Sequence, residues 1–409
     1  MERIILTTGG TGGHIFPALA VAEEIRRRNP NAMIVFMGGK YGQEADLAVK
    51  AGLDFIGLPV RGVMGRGLKG MAACGGMARG VMLAASVIRK TKPELVVGFG
   101  GYAAFAGVMA GRMCGKITAI HEQNSFPGMA NRFLGKVVDR IFLSMPDTLG
   151  AFPARKTLVV GNPVRASIAE LHEKKLAGTP AANKKSEGKS YYGGVDAPSP
   201  FGVSATASGA ETSKAAATED SQHGPRLLVM GGSLGAKAIN EGMMHNIKAL
   251  LEKGVEIWHQ TGIADHERPR AAYREAGAEH VRVEPFISDM AKAYAWADLV
   301  FCRAGASSLA EITAAGLPSL LTPFPFAAQD HQRYNARALE SYGAAVILEQ
   351  DVFFGPQGRP EALTETVSRL FQDKAKLAEM AVRSLALGKP YAAAELVDNL
   401  ESLLAARKK

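Results

Sequence analysis

Two glycine-rich turns contain the residue types that could do chemistry in this chain. Residues 9–14 read Gly-Gly-Thr-Gly-Gly-His, and residues 231–236 read Gly-Gly-Ser-Leu-Gly-Ala. Each turn follows an apolar run and precedes a predicted helix, so its backbone N–H groups and the positive helix end could face an anion. Neither has the Gly-Lys-Ser/Thr ending of a Walker loop, and glycine in such a turn can also serve backbone geometry alone. The pair favours two nucleotide-type domains facing a cleft, and His14 favours catalysis over simple binding.

Further polar clusters follow other predicted strands. A doubly wound parallel sheet binds ligands outside the carboxyl ends of its strands. One such cluster could be an ordinary helix cap, but several at the same edge predict a ligand site. The clusters are residues 121–132, 161–165, 259–262, 303–311 and 329–335.

The elements that must position these residues are short apolar runs. They alternate with segments whose apolar residues recur with the period of an α-helix. Strands that are almost continuously apolar, separated by helices, are typical of parallel sheets covered on both faces. The pattern therefore predicts an α/β protein with parallel sheets. The predicted strands are residues 4–7, 33–37, 95–98, 117–120, 140–143, 227–230, 256–259, 281–284, 299–302, 319–322 and 345–348.

A change of composition divides the chain. From about residue 173 to residue 225, Ala, Ser, Lys, Gly, Thr and Pro dominate, and large apolar residues are rare. Such a segment buries too little apolar area to offset its chain entropy. We therefore predict an N-terminal domain over residues 1–165, a linker with a flexible low-complexity insertion over 166–225, and a C-terminal domain over 226–391. A final amphipathic helix is predicted over residues 392–406.

The overall composition is that of a soluble globular protein. The chain has 409 residues, 47% of them hydrophobic and 21% charged, which suits two domains of ordinary size. Its three cysteines lie far apart, so neither a disulfide scaffold nor a CxxC metal site is expected, and a reducing cytoplasm is the default. The sequence enters a strand at once, which leaves no room for a signal peptide, and the long uncharged run from Leu95 to Gly111 is interrupted by glycines. We therefore expect no membrane-spanning segment.

The net charge of +9 is unevenly distributed. Between Phe55 and Pro93 there is no acidic residue, and methionines and aliphatic residues are interleaved with basic ones. This pattern suits an anionic membrane face or an amphiphilic substrate, although a solvated helix with core methionines would look similar. Nucleic acid is not expected, because aromatic residues for base stacking are missing. The basic residues are Arg61, Arg66, Lys69, Arg79, Arg89, Lys90 and Lys92.

Taken together, these motifs resemble the MurG family, the bacterial UDP-N-acetylglucosamine transferases that make lipid II of peptidoglycan. The resemblance runs in order through both halves of the chain. The insertion before Pro225 is longer than the usual connection of the family, and it touches no matching motif. The matching stretches are residues 9–22, 121–132, 161–165, 231–236, 259–262, 286–297, 302–311 and 329–340.

The resemblance implies the glycosyltransferase B architecture, in which two Rossmann-like domains face a cleft and the last helix, residues 392–409, packs back on the N-terminal domain. It implies that the C-terminal half holds the UDP sugar and that the N-terminal half holds lipid I. It places the protein peripherally on the cytoplasmic face of the bacterial inner membrane, against anionic lipids. No cofactor or metal site is expected, and the chain has no Asp-x-Asp metal motif.

The resemblance also assigns roles to individual residues. Glu311 matches the carboxylate that accepts from both ribose hydroxyls, Ser233 matches the diphosphate cradle, and Gln332 matches a contact to the sugar hydroxyls. The uracil pocket would comprise Ile287 and the start of the helix that carries Glu311, namely Ala306, Ser307, Ser308, Leu309 and Ala310. Other donor- or phosphate-contacting positions are Thr11, Gly12, Gly13, Asn124 and Arg165.

Inverting transfer needs a base for the proton of the acceptor hydroxyl, and His14 is the expected base. A predicted helix starts beside it, and the positive end of that helix favours the neutral imidazole that a base requires. Alternatively, His14 only caps the helix or binds phosphate. Glu122 and Asn124 are the second candidate catalytic pair. Turn amides, the helix dipole, Ser233 and Arg165 would stabilise the leaving diphosphate.

The expected function is transfer of N-acetylglucosamine from its UDP donor to the 4-hydroxyl of lipid I. One alternative is a transferase with another lipid acceptor, such as diacylglycerol. A second is a UDP-sugar 2-epimerase on the same architecture, which needs no lipid acceptor. A third is a non-catalytic subunit that binds a sugar nucleotide.

Overall fold

The computed structural model describes residues 1–10, 12–60, 68–147, 149–178, 223–232 and 235–408. They form two compact units. Unit 1 comprises Met1–Ala166 and Lys389–Lys409, and unit 2 comprises Ser167–Gly388.

Unit 1 contains seven strands and six helices among its described residues. The strands are β1 (Arg3–Thr7), β2 (Met33–Gly39), β3 (Asp54–Leu58), β4 (Leu95–Gly98), β5 (Ile117–Glu122), β6 (Arg140–Leu143) and β7 (Thr157–Val159). The helices are α1 (Gly12–Arg28), α2 (Glu44–Lys50), α3 (Leu68–Thr91), α4 (Gly101–Met113), α5 (Met129–Leu134) and, at the end of the chain, α15 (Ala392–Lys408).

Unit 2 contains six strands among its described residues: β8 (Arg226–Met230), β9 (Glu256–Gln260), β10 (Arg282–Glu284), β11 (Leu299–Cys302), β12 (Ser319–Leu321) and β13 (Ala345–Ile347). Its helices are α6 (Ala166–Gly178), α7 (Lys237–Glu252), α8 (Glu267–Glu275), α9 (Met290–Trp296), α10 (Ala306–Ala314), α11 (His331–Ser341), α12 (Gln350–Phe353), α13 (Glu361–Gln372) and α14 (Lys374–Leu387).

Both sheets are parallel and doubly wound. Their strand orders are β3-β2-β1-β4-β5-β6-β7 in unit 1 and β10-β9-β8-β11-β12-β13 in unit 2. In each sheet the order reverses beside the first strand of the unit, which is the arrangement of a Rossmann-like domain. The predicted fold class, two Rossmann-like parallel-sheet domains, is confirmed.

The structure also shows what the periodicity missed. Strand β3 was not predicted, because Asp54 and Gly57 interrupt its apolar run. Strand β5 continues two residues beyond its predicted end and so includes His121 and Glu122. The expected linker over 166–225 begins with a helix of unit 2, α6, and residues 179–222 lie outside the described residues.

Alternate residues of the unit 1 strands enter different cores. Ile4 and Leu6 pack with α1 and α15, whereas Ile5 packs with α3 and α4 on the other face of the sheet. Because both faces are covered, the strands read as continuous apolar runs.

Helix α15 completes one of these faces. Its Leu396, Val397 and Leu400 are fully buried in the core of unit 1, and full burial of such a side chain contributes about 1.5–3 kcal/mol. Arg28 of α1 donates hydrogen bonds to Asp398 and Glu401 of α15. The end of the chain therefore forms part of the N-terminal unit.

No helix within the described ranges is long and apolar enough to cross a bilayer.

Candidate active site

The first glycine turn holds His14 at the carboxyl end of β1, an interior strand of the unit 1 sheet. Strand β1 ends at Thr7, and His14 is the third residue of α1. The turn is packed against the β4–α4 connection, where Gly9 donates its N–H to the carbonyl of Gly100 at 3.0 Å. His14 is half-buried, and its Nδ1 lies 2.9 Å from Oε1 of Gln123. Residues from three connections therefore meet around one imidazole.

A buried carboxylate accepts hydrogen bonds from the backbone of this turn and of a neighbouring strand. Oε1 of Glu44, at the start of α2, accepts the N–H groups of Gly10 at 3.0 Å and Gly39 at 3.3 Å. Glu44 thus occupies one amide of the turn and brings a negative charge beside it. The amides of Gly9 and Gly10 therefore donate to protein acceptors rather than to an anion at this turn.

Glu122 organises the loop that follows β5. Its Oε1 accepts from the backbone N–H and the side-chain amide of Asn124, at 3.0 and 3.4 Å. Its Oε2 accepts from the N–H of Gly128 at 3.0 Å and from Nδ2 of Asn131 at 2.9 Å. These four bonds favour a positioning role for the buried Glu122. The catalytic role of Glu122 and Asn124 stays a prediction.

Arg165 lies beside the same helix as His14. Its guanidinium carbon is 5.3 Å from the centre of the Phe16 ring of α1, a distance at which a cation is attracted by the ring face. Unit 1 therefore brings together His14, Gly12, Gly13, Glu122, Asn124 and Arg165. Thr11 lies outside the described residues.

The second glycine turn joins β8 to α7 in unit 2. Gly235 has a φ of +80°, and a Cβ there would be 2.5 Å from the carbonyl oxygen of Thr261, so the packing itself requires glycine. Gln260 at the end of β9 donates from Nε2 to the carbonyl of Gly232 at 3.0 Å and accepts from the N–H of Ile287 at 3.2 Å. Gln260 therefore ties this turn to the expected uracil pocket. Ser233 lies outside the described residues.

Glu311 occupies the second turn of α10. Its side chain is 8% exposed, and its Oε2 accepts from the Tyr294 hydroxyl at 3.1 Å. Nδ2 of Asn335 donates to the carbonyl of Ala304 at 3.2 Å and so supports the connection that begins α10. The other expected pocket residues, Ala306, Ser307, Ser308, Leu309 and Ala310, form the first turns of this helix.

The connection after β12 is held by two side chains. Arg303 donates to the carbonyls of Thr322 and Pro323 and to Oε1 of Gln350, and burial lowers the pKa of its guanidinium to about 10. Gln332 accepts the N–H of Phe324 at 3.0 Å. Gln332 therefore has its Oε1 committed to the loop, and its amide nitrogen is the atom to consider for a sugar hydroxyl.

Sequence reasoning did not identify Glu44, Gln123, Gln260 or Tyr294 as individual site residues. Each hydrogen-bonds to a residue that follows or precedes a different strand, and no local sequence pattern predicts such a pair. Among the described residues, no group of three or more His, Cys, Asp or Glu side chains is placed to hold a metal ion.

Comparison with known families agrees with this architecture. The model of the glycosyltransferase family 28 N-terminal domain matches residues 4–143, and that of the family 28 C-terminal domain matches residues 226–396.

Curated relatives match along the whole chain. The UDP-N-acetylglucosamine–N-acetylmuramyl-(pentapeptide) pyrophosphoryl-undecaprenol N-acetylglucosamine transferase of Nitratidesulfovibrio vulgaris strain Miyazaki F is 54% identical over 100% of this chain and 98% of its own length. The transferase of the same name from Solidesulfovibrio magneticus is 45% identical over 99% of both chains.

Among solved structures, Acinetobacter baumannii MurG superposes with a TM-score of 0.68 at 29% identity, covering 98% of this chain and 100% of that one. A UDP-GlcNAc 2-epimerase from Neisseria meningitidis, at 14% identity and a TM-score of 0.62 over 98% of this chain and 100% of its own, shares the fold. Identity of 54% over the full length, together with the two domain matches, places the chain in glycosyltransferase family 28, among the UDP-N-acetylglucosamine–N-acetylmuramyl-(pentapeptide) pyrophosphoryl-undecaprenol N-acetylglucosamine transferases.

Proposed function

We propose that this protein transfers N-acetylglucosamine from UDP-N-acetylglucosamine to the 4-hydroxyl of lipid I and so forms lipid II in peptidoglycan biosynthesis. The relatives that match over the full length bear the name of this transfer. The structural observation that carries the proposal is the half-buried imidazole of His14, which lies after the carboxyl end of β1 and contacts Gln123. The protein is a hexosyltransferase.

The chemistry assigned to His14 is general base catalysis. The acceptor hydroxyl loses its proton to the imidazole while its oxygen forms a bond to the anomeric carbon. The bond between that carbon and the β-phosphate oxygen breaks on the opposite face, and its electron pair leaves with UDP. A positioned base of this kind contributes about 10²–10⁴-fold to the rate.

The donor is assigned to unit 2. Glu311 would accept from the ribose hydroxyls, because a carboxylate oriented by Tyr294 offers strong acceptors at a fixed place. Gln332 would contact the sugar. The diphosphate is assigned to the start of α7, next to the turn in which the amides of Gly231 and Gly235 donate to the carbonyls of Gln260 and Gly232.

The acceptor remains attached to a polyprenyl chain, and we assign the membrane contact to α3. On this helix Met82 and Leu83 are 65% and 40% exposed, and Arg79, Arg89 and Lys90 are exposed as well. Exposed apolar side chains beside cations suit the anionic lipids of the cytoplasmic membrane face. Of the other basic residues of this stretch, Arg61 and Arg66 lie outside the described residues, and nothing is described of the Lys69 side chain.

The test is to incubate the purified protein with UDP-N-acetylglucosamine, labelled in the sugar, and detergent-solubilised lipid I. We expect the label to move into the organic phase as lipid II. A parallel reaction with diacylglycerol tests the other lipid acceptor, and a reaction without any lipid gives the background.

The alternatives predict different products. Label that stays in the aqueous phase as an epimerised UDP sugar would favour a 2-epimerase. Label that stays as unchanged donor would contradict any transferase.

A further inference from the structure

We propose that Gln123 and His121 are positioning residues that set the tautomer of His14: they hold its proton on Nδ1 and leave Nε2 as the atom that accepts the acceptor's proton. This inference rests on the proposed function, because His14 is the base assigned there. It follows from a chain of four hydrogen bonds, each with only one possible direction.

The chain begins at the carbonyl of Gly161. Nε2 of His121 lies 2.9 Å from this oxygen, and a carbonyl can only accept, so Nε2 of His121 carries a hydrogen. His121 is fully buried, and burial lowers the pKa of its imidazole to about 4. The ring is therefore neutral near pH 7, and its Nδ1 presents a lone pair.

The lone pair on Nδ1 of His121 determines the orientation of the Gln123 amide. Nε2 of Gln123 is 3.1 Å from Nδ1 of His121 and 3.0 Å from the carbonyl of Phe99. Both neighbours are acceptors, and the amide nitrogen has two hydrogens to donate. A flipped amide would place its oxygen against both acceptors at a side chain that is only 1% exposed, so the flipped orientation is excluded.

The orientation of Gln123 in turn determines the tautomer of His14. Oε1 of Gln123 faces Nδ1 of His14 at 2.9 Å. An amide oxygen can only accept, so Nδ1 must donate. A neutral imidazole has one N–H hydrogen, and Nε2 of His14 is therefore unprotonated.

This arrangement suits a base that must act many times. When Nε2 takes the proton of the acceptor hydroxyl, Nδ1 keeps its hydrogen and its bond to Gln123, so no part of the network has to rearrange. The same logic operates wherever a second group holds a catalytic histidine in one tautomer. A neutral amide supplies the orientation without adding a negative charge beside the ring.

The direct test is nitrogen NMR of the protein labelled with ¹⁵N-histidine, without substrates and at a pH where His14 is neutral. The chain has nine histidines, and the signal that disappears in His14→Ala assigns the residue. We expect the wild-type His14 to carry its hydrogen on Nδ1. A wild-type His14 protonated on Nε2 would overturn the proposal, whatever the enzyme does in the transfer assay.

The decisive variant is Gln123→Met, which keeps the length of the side chain and removes both the donor and the acceptor of the Gln123 amide. We expect a mixture of His14 tautomers and a kcat reduced by about tenfold to a hundredfold, with the KM for UDP-N-acetylglucosamine changed less than twofold. A folded variant that keeps both the wild-type tautomer and the wild-type kcat would overturn the proposal.

A matched control is Gln260→Met, because Gln260 is also a buried glutamine and it hydrogen-bonds to the second glycine turn. It should leave the His14 tautomer as in the wild type. If Gln123→Met does not fold, Gln123→Leu provides the same test, since it also removes the amide and keeps an apolar side chain of similar volume. An unchanged tautomer population in that variant would also overturn the proposal. Failure of label transfer by the wild type would refute the proposed function alone, because the NMR measurement does not depend on it.

Discussion

Gly100 lies so close to the His14 imidazole that a Cβ on Gly100 would be 2.9 Å from both Cε1 and Nδ1 of the ring. Gly100 also has a φ of +97°, which L side chains rarely adopt. The β4–α4 turn therefore forms one wall of the space that holds the base.

We expect Gly100→Ala to lower kcat by about tenfold to a hundredfold, because the added carbon displaces the ring. The backbone strain should also cost about 1–3 kcal/mol of stability. Gly115→Ala is the control, since Gly115 has a φ of +68° but nothing lies within 4 Å of the added Cβ. Steady-state kinetics and thermal unfolding of both variants separate the effects. Equal kcat in the two variants would contradict the proposed contact with His14.

His14→Ala should lower kcat by about a hundredfold or more and leave donor affinity nearly unchanged, because a base acts only in the transition state. The exposed His245 of α7 supplies the control, and His245→Ala should have wild-type kinetics. Turnover of His14→Ala equal to that of the wild type would remove His14 as the base. It would favour the alternative in which His14 only caps the helix or binds phosphate.

Donor affinity should depend on Glu311 and, through it, on Tyr294. A hydrogen bond to a charged group is worth about 1.5–3 kcal/mol, so Glu311→Gln should weaken UDP binding about tenfold or more. Tyr294→Phe removes only the orienting hydroxyl and should weaken binding about twofold to fivefold. Both effects can be measured by titration calorimetry with UDP.

Tyr273→Phe is the matched control for Tyr294→Phe. Its buried hydroxyl serves His259 at 3.1 Å rather than a donor-site residue. The variant should lose stability and keep its affinity for UDP. A similar loss of affinity in both tyrosine variants would indicate a general weakening of unit 2.

Stability should decrease on mild acidification because two histidines are buried in the neutral form. Burial lowers the pKa of His121 to about 4 and that of His259 to about 3, whereas a histidine in the unfolded chain titrates near 6.5. Below pH 6.5 the unfolded state takes up protons that the folded state does not. The free energy of unfolding therefore decreases as the pH is lowered. The slope is about 1.4 kcal/mol per pH unit for each histidine between these values.

Calorimetry between pH 8 and pH 5 checks this expectation. We expect a falling Tm below about pH 6.5, and a shallower fall for the transition of unit 2 in His259→Gln. A Tm that stays constant down to pH 5, or an unchanged slope in His259→Gln, would show that these rings are protonated in the folded state.

Binding to anionic vesicles should depend on α3. A basic residue near an anionic surface contributes about 1 kcal/mol to binding. Arg89→Glu combined with Lys90→Glu should therefore weaken the affinity for such vesicles, measured by co-sedimentation, about tenfold or more. The control is the same double reversal at the exposed Arg270 and Arg274 of α8. Equal losses in the two variants would contradict a docking face on α3.

Local sequence determined much of this architecture. A buried parallel strand is a short apolar run, and a tight strand-to-helix turn needs glycine, so both leave a signature within a few residues. These signals were sufficient for eleven of the strands and for the place of His14 at the start of α1. They failed at β3, where Asp54 and Gly57 break the run, and at β7, a short half-buried strand at the edge of its sheet.

The tertiary structure decided how the site residues are held. Gln123 bonds to a histidine 109 residues away in the chain, Glu44 reaches back 34 residues to the first turn, and Tyr294 orients a carboxylate 17 residues on. Such pairs arise because parallel strands bring their following connections to one edge of the sheet. No periodicity records which two connections will touch. The sequence by itself predicted His14 as the base. Only the packing of three separate turns carries the proposal that Nε2 of His14 accepts the proton, because the contact with Gln123 joins residues far apart in the chain.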